Sequence, residues 1–469
     1  MFPLAIELHQ HESEKMALVR FHPVDHVTGA AQVPRSKPHM QRAILLSLLT
    51  NAPSIIVNPA WSSESVRLFN AAGQLGLTVR QRDEHTLIVN GAGKSLRPRE
   101  SVIDTAGSAF NFRTVAGLAC VSPAVTVVEG NVSMLARPVR EHLGFIADLG
   151  AQYADISDRD RLRLRIRGTR RLGGRTTIDT RHSSQVLTSA LLIAPLAAEP
   201  VHIQTTDDPV GEGYVDLTLD MMREQGATVD RDGLTFVVHP AAYQSRVHRV
   251  ASDFTSLSYL AGAVVTANTG EVTVTEYTPS ALSSEIEFTK TLDVLGVHAT
   301  YDPVTRSLHL RREPPATRAI EIDGRNIPTV VPTLMAMAPF IEASITLRNA
   351  AHVNNHKCRR IEVMLAELRR LGCHIDPTFD IAGRVDGFTT SGRQQPAGDT
   401  LLDSHGDHRV FMSLATAALG ARQPTIIDGV EHLHASFPDY LEQLRNIGGS
   451  SESELASADP PEINAFKWG

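Results

Sequence analysis

Cysteine is scarce: Cys120, Cys358 and Cys373 are the three in 469 residues. An odd number with no CxxC spacing argues against a disulfide framework and a structural zinc site, and it suits a reducing compartment. Long apolar runs are missing as well. Nothing approaches the roughly 18 consecutive apolar residues of a membrane helix, so no membrane partner is expected. No block of Lys or Arg is long enough for a nucleic-acid patch, and 45 Lys+Arg against 52 Asp+Glu leave a formal charge of −7. The opening residues turn polar at His9 and lack a basic start and a small-residue cleavage site, so a signal peptide is not expected. The polar stretch 449–469, with Pro460-Pro461, reads as a mobile tail. With 42% hydrophobic and 21% charged residues the remainder is ordinary folded protein of two or three domains, expected to be cytoplasmic and monomeric.

What is present is a repeat. An apolar-periodic run, an apolar-Gly pair and a β-branched run recur at Gly76, Gly150, Gly226, Gly296, Gly372 and Gly448. Subtracting those numbers gives separations of 74, 76, 70, 76 and 76 residues. Apolar residues three and four apart mark a helix face, and the glycine suits a left-handed residue that ends the helix. The segments that follow, such as Leu77-Thr78-Val79, read as strands. A period near seventy is too long for a solenoid of single hairpins. Six α/β units, each with several strands and about two helices, suggest two lobes of three.

Several helices open on small polar or basic residues. Ser36-Lys37-Pro38 precedes an apolar run, as do Gly107-Ser108, Ser183-Ser184-Gln185, Asp253 to Ser256, and Asp407-His408-Arg409. Any one of these can be an ordinary N-cap. Together with Lys37, Arg42, Arg137, Arg360 and Arg409 they suggest helix N-termini and cations gathered on anionic ligands.

At these residues the chain resembles the enolpyruvyl transferases, and among them the 5-enolpyruvylshikimate-3-phosphate synthases. Ser36-Lys37 with Arg42 is similar to the family's SKS-x-x-x-R opening, and Ala106-Gly107-Ser108-Ala109 to its NAGTA loop. Ala136-Arg137-Pro138 resembles ERP, Ser183-Ser184-Gln185 matches SSQ, and Tyr214 matches the aromatic residue beyond it. Asp253 with Ser256 resembles D-x-S-S, Arg360 the arginine of K-E-x-D-R, Asp407-His408-Arg409 NDHR, and Phe437-Pro438 SFP. The resemblance spans about residues 20–448.

It implies a two-lobed, inside-out α/β barrel of six βαβαββ units, three per lobe. One lobe would hold residues 1–35 and 251–448, the other 36–250, with ligands in the cleft between them. It implies no cofactor or metal, and two small-molecule substrates, phosphoenolpyruvate and a phosphorylated hydroxyl acceptor. Lys37, Arg137, Gln185, Arg360 and Arg409 would hold phosphoenolpyruvate. Ser36, Arg42, Ser183, Ser184, Tyr214 and Thr329 would face the acceptor. Lys37, His356, Lys357 and Asp407 would be the catalytic candidates.

The chemistry joins an alcohol oxygen to C2 of phosphoenolpyruvate, protonates C3, then returns that proton and expels phosphate. It needs acid–base groups and a cationic cradle. The cradle is largely retained, but the acid–base groups are not. Thr329 stands where the family has Asp, Lys357 where it has Glu, and His356 where it has Lys. Pro38, Gly211 and Ala435 replace further polar positions, and Asn111 is in register with a family arginine, Arg113 lying two residues on. Three readings follow. The one that these losses favour is transfer to an altered acceptor such as a nucleotide, with His356, Lys357 or a nearby carboxylate taking over. The second is the ordinary shikimate-pathway reaction. The third is an anion-binding relative without turnover. His405 and His408 with Asp403 and Asp407 make a poor metal motif, since no third ligand is placed by the spacing.

Overall fold

The computed structural model describes residues 18–98, 102–137, 139, 143–280, 283–355 and 358–453. His356, Lys357 and Pro138 lie outside them. Among the described residues there are six four-stranded sheets. All six follow one plan: two parallel neighbours, then two further strands added antiparallel. One unit runs Val102–Asp104, helix Ala109–Val121, Val125–Gly130, short helix Phe145–Asp148, then Gln152–Asp155 and Leu162–Arg167. That is the βαβαββ order.

The helices lie inside because their sequences carry nothing that needs water. Phe254–Thr266, Val331–Met337 and Gln185–Ile193 contain no charged residue, and all but Gln185 are buried. A helix apolar on every side has to be enclosed, and the sheets enclose these. The six repeat glycines all take left-handed φ values, from +84° at Gly296 to +113° at Gly76, where a side chain would be strained.

Two apolar cores form. One draws on residues between Val19 and Val33 and between Phe254 and Ile447, the other on residues from Met40 to Val250. Two passages of chain join them and run antiparallel at Arg35 and Ser252. The Ser36 N–H donates to the Ala251 carbonyl at 2.7 Å, and the Asp253 N–H to that of Pro34 at 2.9 Å. Beside them the Ala251 N–H donates to Nδ1 of His39 at 3.4 Å. No helix among the described residues is long and apolar enough to cross a membrane.

One expectation is corrected. The stretch 449–469 reads as a tail, yet Ser450–Ser453 form a strand against Leu18–His22, with Val19 opposite Ser453, and residues 454–469 lie outside the described residues. The edge of the first strand supplies a backbone ladder, and ladder hydrogen bonds do not require apolar side chains.

Candidate active site

Four of the five helix starts that the sequence singled out meet between the lobes, all but that at Asp253 to Ser256. Lys37, Arg42, Arg137, Ser183, Ser184, Gln185, Tyr214, Thr329, Arg360 and Arg409 line one cavity of about 190 Å³. Glu64, Gln41, His182, His352 and His408 line it too. The lobes touch beside it. The Gly211 N–H donates to the Arg325 carbonyl at 3.2 Å, Arg325 reaches Asp207 at 3.3 Å, and Asn355 lies 3.3 Å from His182. Gly211 takes φ +63° as the residue before helix Glu212–Glu224, which accounts for glycine at this position.

Two candidates do other work. Ser36 is 3% exposed, and its hydroxyl caps helix Lys37–Leu48 by accepting from the His39 N–H at 3.4 Å. Asp407 is fully enclosed. It caps helix His408–Ala418 and accepts from Nε of Arg360 at 2.9 Å. Burial works against its carboxylate, but Arg360, His408 and the hydrogen bonds outweigh that and hold its pKa well below the usual carboxylate range. It neutralises Arg360 from beneath the cavity.

Arg42 lines the cavity while its guanidinium is bonded within the protein. Its guanidinium donates to Thr218 Oγ1 at 2.8 Å, the Pro38 carbonyl at 3.0 Å and the Tyr214 carbonyl at 2.9 Å, and stacks over Phe110 at 5.3 Å. Burial pulls its pKa down to about 10. It ties the Lys37 helix to the Tyr214 helix, and most of its donors are engaged within the protein. Arg409 lies beside the Thr329 carbonyl, 3.4 Å away. Burial lowers its pKa, but Tyr259, Asp253, Tyr214 and Asp407 together carry it above the ordinary value.

Thr329 sits in a chain of hydroxyls. Thr255 donates to its Oγ1 at 2.9 Å, and the Tyr214 hydroxyl lies 3.3 Å from it. Burial raises the Tyr214 pKa, with Thr329 and Arg409 opposing. Position 329 itself thus offers a hydroxyl, hydrogen-bonded to two others, where the resemblance places a carboxylate.

Two contributors, Glu64 and His352, are absent from the sequence motifs, and a third, Arg113, enters there only as an arginine two residues out of register. Arg113 reaches past Asn111 to hold the SSQ turn, donating to Gln185 Oε1 at 2.6 Å and Ser183 Oγ at 3.3 Å. Its place one helical turn beyond Ala109 was the available signal. Glu64 faces Lys37 with 3.0 Å between Oε2 and Nζ. His352 lines the cavity as a neutral imidazole, burial lowering its pKa to about 4. Among the described residues no group of three His, Cys, Asp or Glu side chains is placed to hold a metal.

A sequence profile of EPSP synthase (3-phosphoshikimate 1-carboxyvinyltransferase) matches residues 21–444. The chain belongs to this family. It is 28% identical to the 3-phosphoshikimate 1-carboxyvinyltransferase of Methanosarcina mazei over 90% of this chain and 96% of that protein. The enzyme of the same name from Serratia proteamaculans is 30% identical, over 91% and 97%. The fold matches EPSP synthase from Acinetobacter baumannii with TM-score 0.78 and 20% identity, over 94% of this chain and all of that one. It also matches the enolpyruvyl transferase NikO from Streptomyces tendae, with TM-score 0.69 and 17% identity at the same coverage. As an EPSP synthase family member this chain is a transferase with the two-lobed architecture of that family.

Proposed function

We propose that the cleft moves the enolpyruvyl group of phosphoenolpyruvate onto a hydroxyl of shikimate 3-phosphate, the reaction for which the relatives above are named. The observation that carries this reading is the convergence of Lys37, Arg137, Arg360 and Arg409, from both sides, on one cavity. Four cations are far more than a neutral ligand requires, and they suit a phosphate and a carboxylate together. In this reading they hold phosphoenolpyruvate with Gln185, while Ser183, Ser184 and Tyr214 face the acceptor and Arg42 braces its wall. Residues 18–35 with 251–448, and 36–250, act as the two jaws.

The sequence alone favoured a changed acceptor; the names carried by full-length relatives weigh instead for shikimate 3-phosphate. One observation still favours the changed acceptor. Thr329 offers the acceptor hydroxyl another hydroxyl, a poor base at neutral pH. The test mixes protein and phosphoenolpyruvate with shikimate 3-phosphate, then with a panel of nucleotides, and measures phosphate release. Turnover on shikimate 3-phosphate at ordinary enzyme rates, about 1–10³ per second, is the expected result. Release with a nucleotide alone selects the second reading, and release with no acceptor overturns enolpyruvyl transfer. Thr329→Asp separates the two acceptors further. It raises a weak shikimate activity under the second reading, and under the first it lowers an efficient one by breaking the Tyr214–Thr329–Thr255 chain.

A further inference from the structure

Enolpyruvyl transfer moves a proton onto C3 and off again, and the two positions where the family resemblance places carboxylates carry Thr329 and Lys357. The described cavity wall nevertheless holds a carboxylate, that of Glu64, in the first turn of helix Ser63–Gln74. Its side chain is 21% exposed, toward the cavity, and pairs with Lys37 at 3.0 Å. A carboxylate and an ammonium in contact, beside the cations that hold phosphoenolpyruvate, form a ready proton-transfer couple.

The position of Glu64 is fixed by the same substitution that departs from the family elsewhere. Asn111, fully buried where the family has arginine, donates from its side-chain nitrogen to the Glu64 carbonyl at 2.9 Å. Its side-chain oxygen accepts from Gln41 Nε2, also at 2.9 Å, and Gln41 is 3% exposed. Gln41 lies on the Lys37 helix, so one buried amide relay locks the Glu64 turn to the helix that presents Lys37. An arginine at 111 has no acceptor to offer Gln41.

We propose that Glu64 exchanges the C3 proton of phosphoenolpyruvate, with Lys37 as its partner; this rests on the enolpyruvyl-transfer reading. In the addition, the acceptor oxygen forms a bond to C2 and its proton passes through the Lys37–Glu64 couple to C3, where the C2=C3 pair takes it up. In the elimination, Glu64 takes a proton back from the C3 methyl and the C–H pair re-forms the double bond. The C2–O bond to phosphate breaks with its pair on the phosphate, which leaves carrying the proton. Atoms and charges balance without any further reactant. His352 is a poorer candidate because burial keeps it a weak base.

The test runs the reaction in deuterated water and follows deuterium in the methylene of product and recovered phosphoenolpyruvate by mass spectrometry, alongside phosphate release. The intact protein should wash deuterium into C3. Glu64→Gln should lose phosphate release by about 10²–10⁴-fold and lose the wash-in, the size expected for a general acid–base group. Calorimetry should show it still binding phosphoenolpyruvate, which excludes misfolding, and Glu64→Asp should recover part of the rate. If Glu64→Gln turns over and exchanges like the parent, the assignment to Glu64 is overturned while enolpyruvyl transfer stands. If the parent itself releases no phosphate with any acceptor, transfer and the role of Glu64 fall together.

Discussion

The two lobes share one plan and hold their cleft charges in contrasting ways. On the C-terminal side Arg360 is 4% exposed and lies against the enclosed carboxylate of Asp407, so the pair arrives neutralised. On the other side Arg42 is 2% exposed and held by carbonyls and a hydroxyl, and Arg113 by the Gln185 and Ser183 oxygens. Burial pulls both guanidinium groups down to about 10, whereas Arg409 opposite is carried up. The guanidinium of Arg360 therefore carries a built-in counter-charge, whereas in the other jaw the carboxylate of Glu64 goes to the ammonium of Lys37. The Arg42 and Arg113 guanidinium groups are cushioned by dipoles and gain most when an anion enters, because a charge in a dry site interacts strongly with whatever balances it.

That contrast breaks most sharply at Asp407. Asp407→Asn keeps an acceptor for the helix cap but leaves Arg360 buried without its carboxylate, which should cost about 3–5 kcal/mol of stability in denaturant titration. Arg42→Met removes the guanidinium and keeps an apolar stem, so it leaves no buried charge without its partner and should cost less; equal losses would mean that the two sides do not differ.

Acidity sharpens the comparison next. Burial raises Glu285, on the C-terminal side, to about 7 from 4.5. The folded state therefore holds a proton that the unfolded chain has released, and this stabilisation is lost as pH rises from about 4.5 through 7. Burial lowers His39 and His248, beside the crossover, to about 4 from 6.5. There the unfolded chain binds the proton more readily, and stability is lost as pH falls from about 6.5 to 4. Melting curves at pH 5 and pH 8 should show Glu285→Gln losing less on the alkaline side than the parent. The difference should be on the order of 2–3 kcal/mol, at about 1.4 kcal/mol per pKa unit. His248→Asn should instead flatten the acid side. A parent whose pH slope neither substitution alters would remove this distinction.

The smallest effect concerns binding alone. Arg137 donates to the Gly107 carbonyl at 3.0 Å and lines the cavity. A hydrogen bond from a charged group is worth about 1.5–3 kcal/mol, so Arg137→Ala should weaken phosphoenolpyruvate by tenfold or more in calorimetry. Unchanged affinity would take Arg137 out of the cradle and leave Lys37, Arg360 and Arg409 to hold the ligand.

Much of this was legible in the sequence. Charge-free helices and glycines at a steady period give away buried helices and repeated units, because both signals are local. The convergence of Lys37, Gln185, Arg360 and Arg409 came through motifs that sit at helix starts. What stayed hidden depends on partners far along the chain. Ser36 and Asp407 are of the residue types that either cap a helix or meet an anion, and only their surroundings show that they cap. No local pattern announces that Arg42, a cavity residue, also donates to Thr218 and Tyr214, some 170 residues on. Glu64 belongs to no motif, and its place in the cleft follows from the packing of Asn111 and Gln41.

The strand Leu18–His22 lies between Thr425–Asp428 and Ser450–Ser453. About 400 residues of synthesis separate Phe21 from its partner Thr425, roughly 20–80 s on a ribosome adding about 5–20 residues per second. Residues 36–250 supply every buried member of their own core and can close it within that interval. Val19 and Phe21 meanwhile wait on an unpaired strand, the kind of edge that sticks to other chains. The order of the chain thus lets the molecule be assembled inside out in time as well as in space. The core of residues 36–250 can close first, while the sheet that holds the first described strand cannot be completed until Thr425–Asp428 and Ser450–Ser453 have been made.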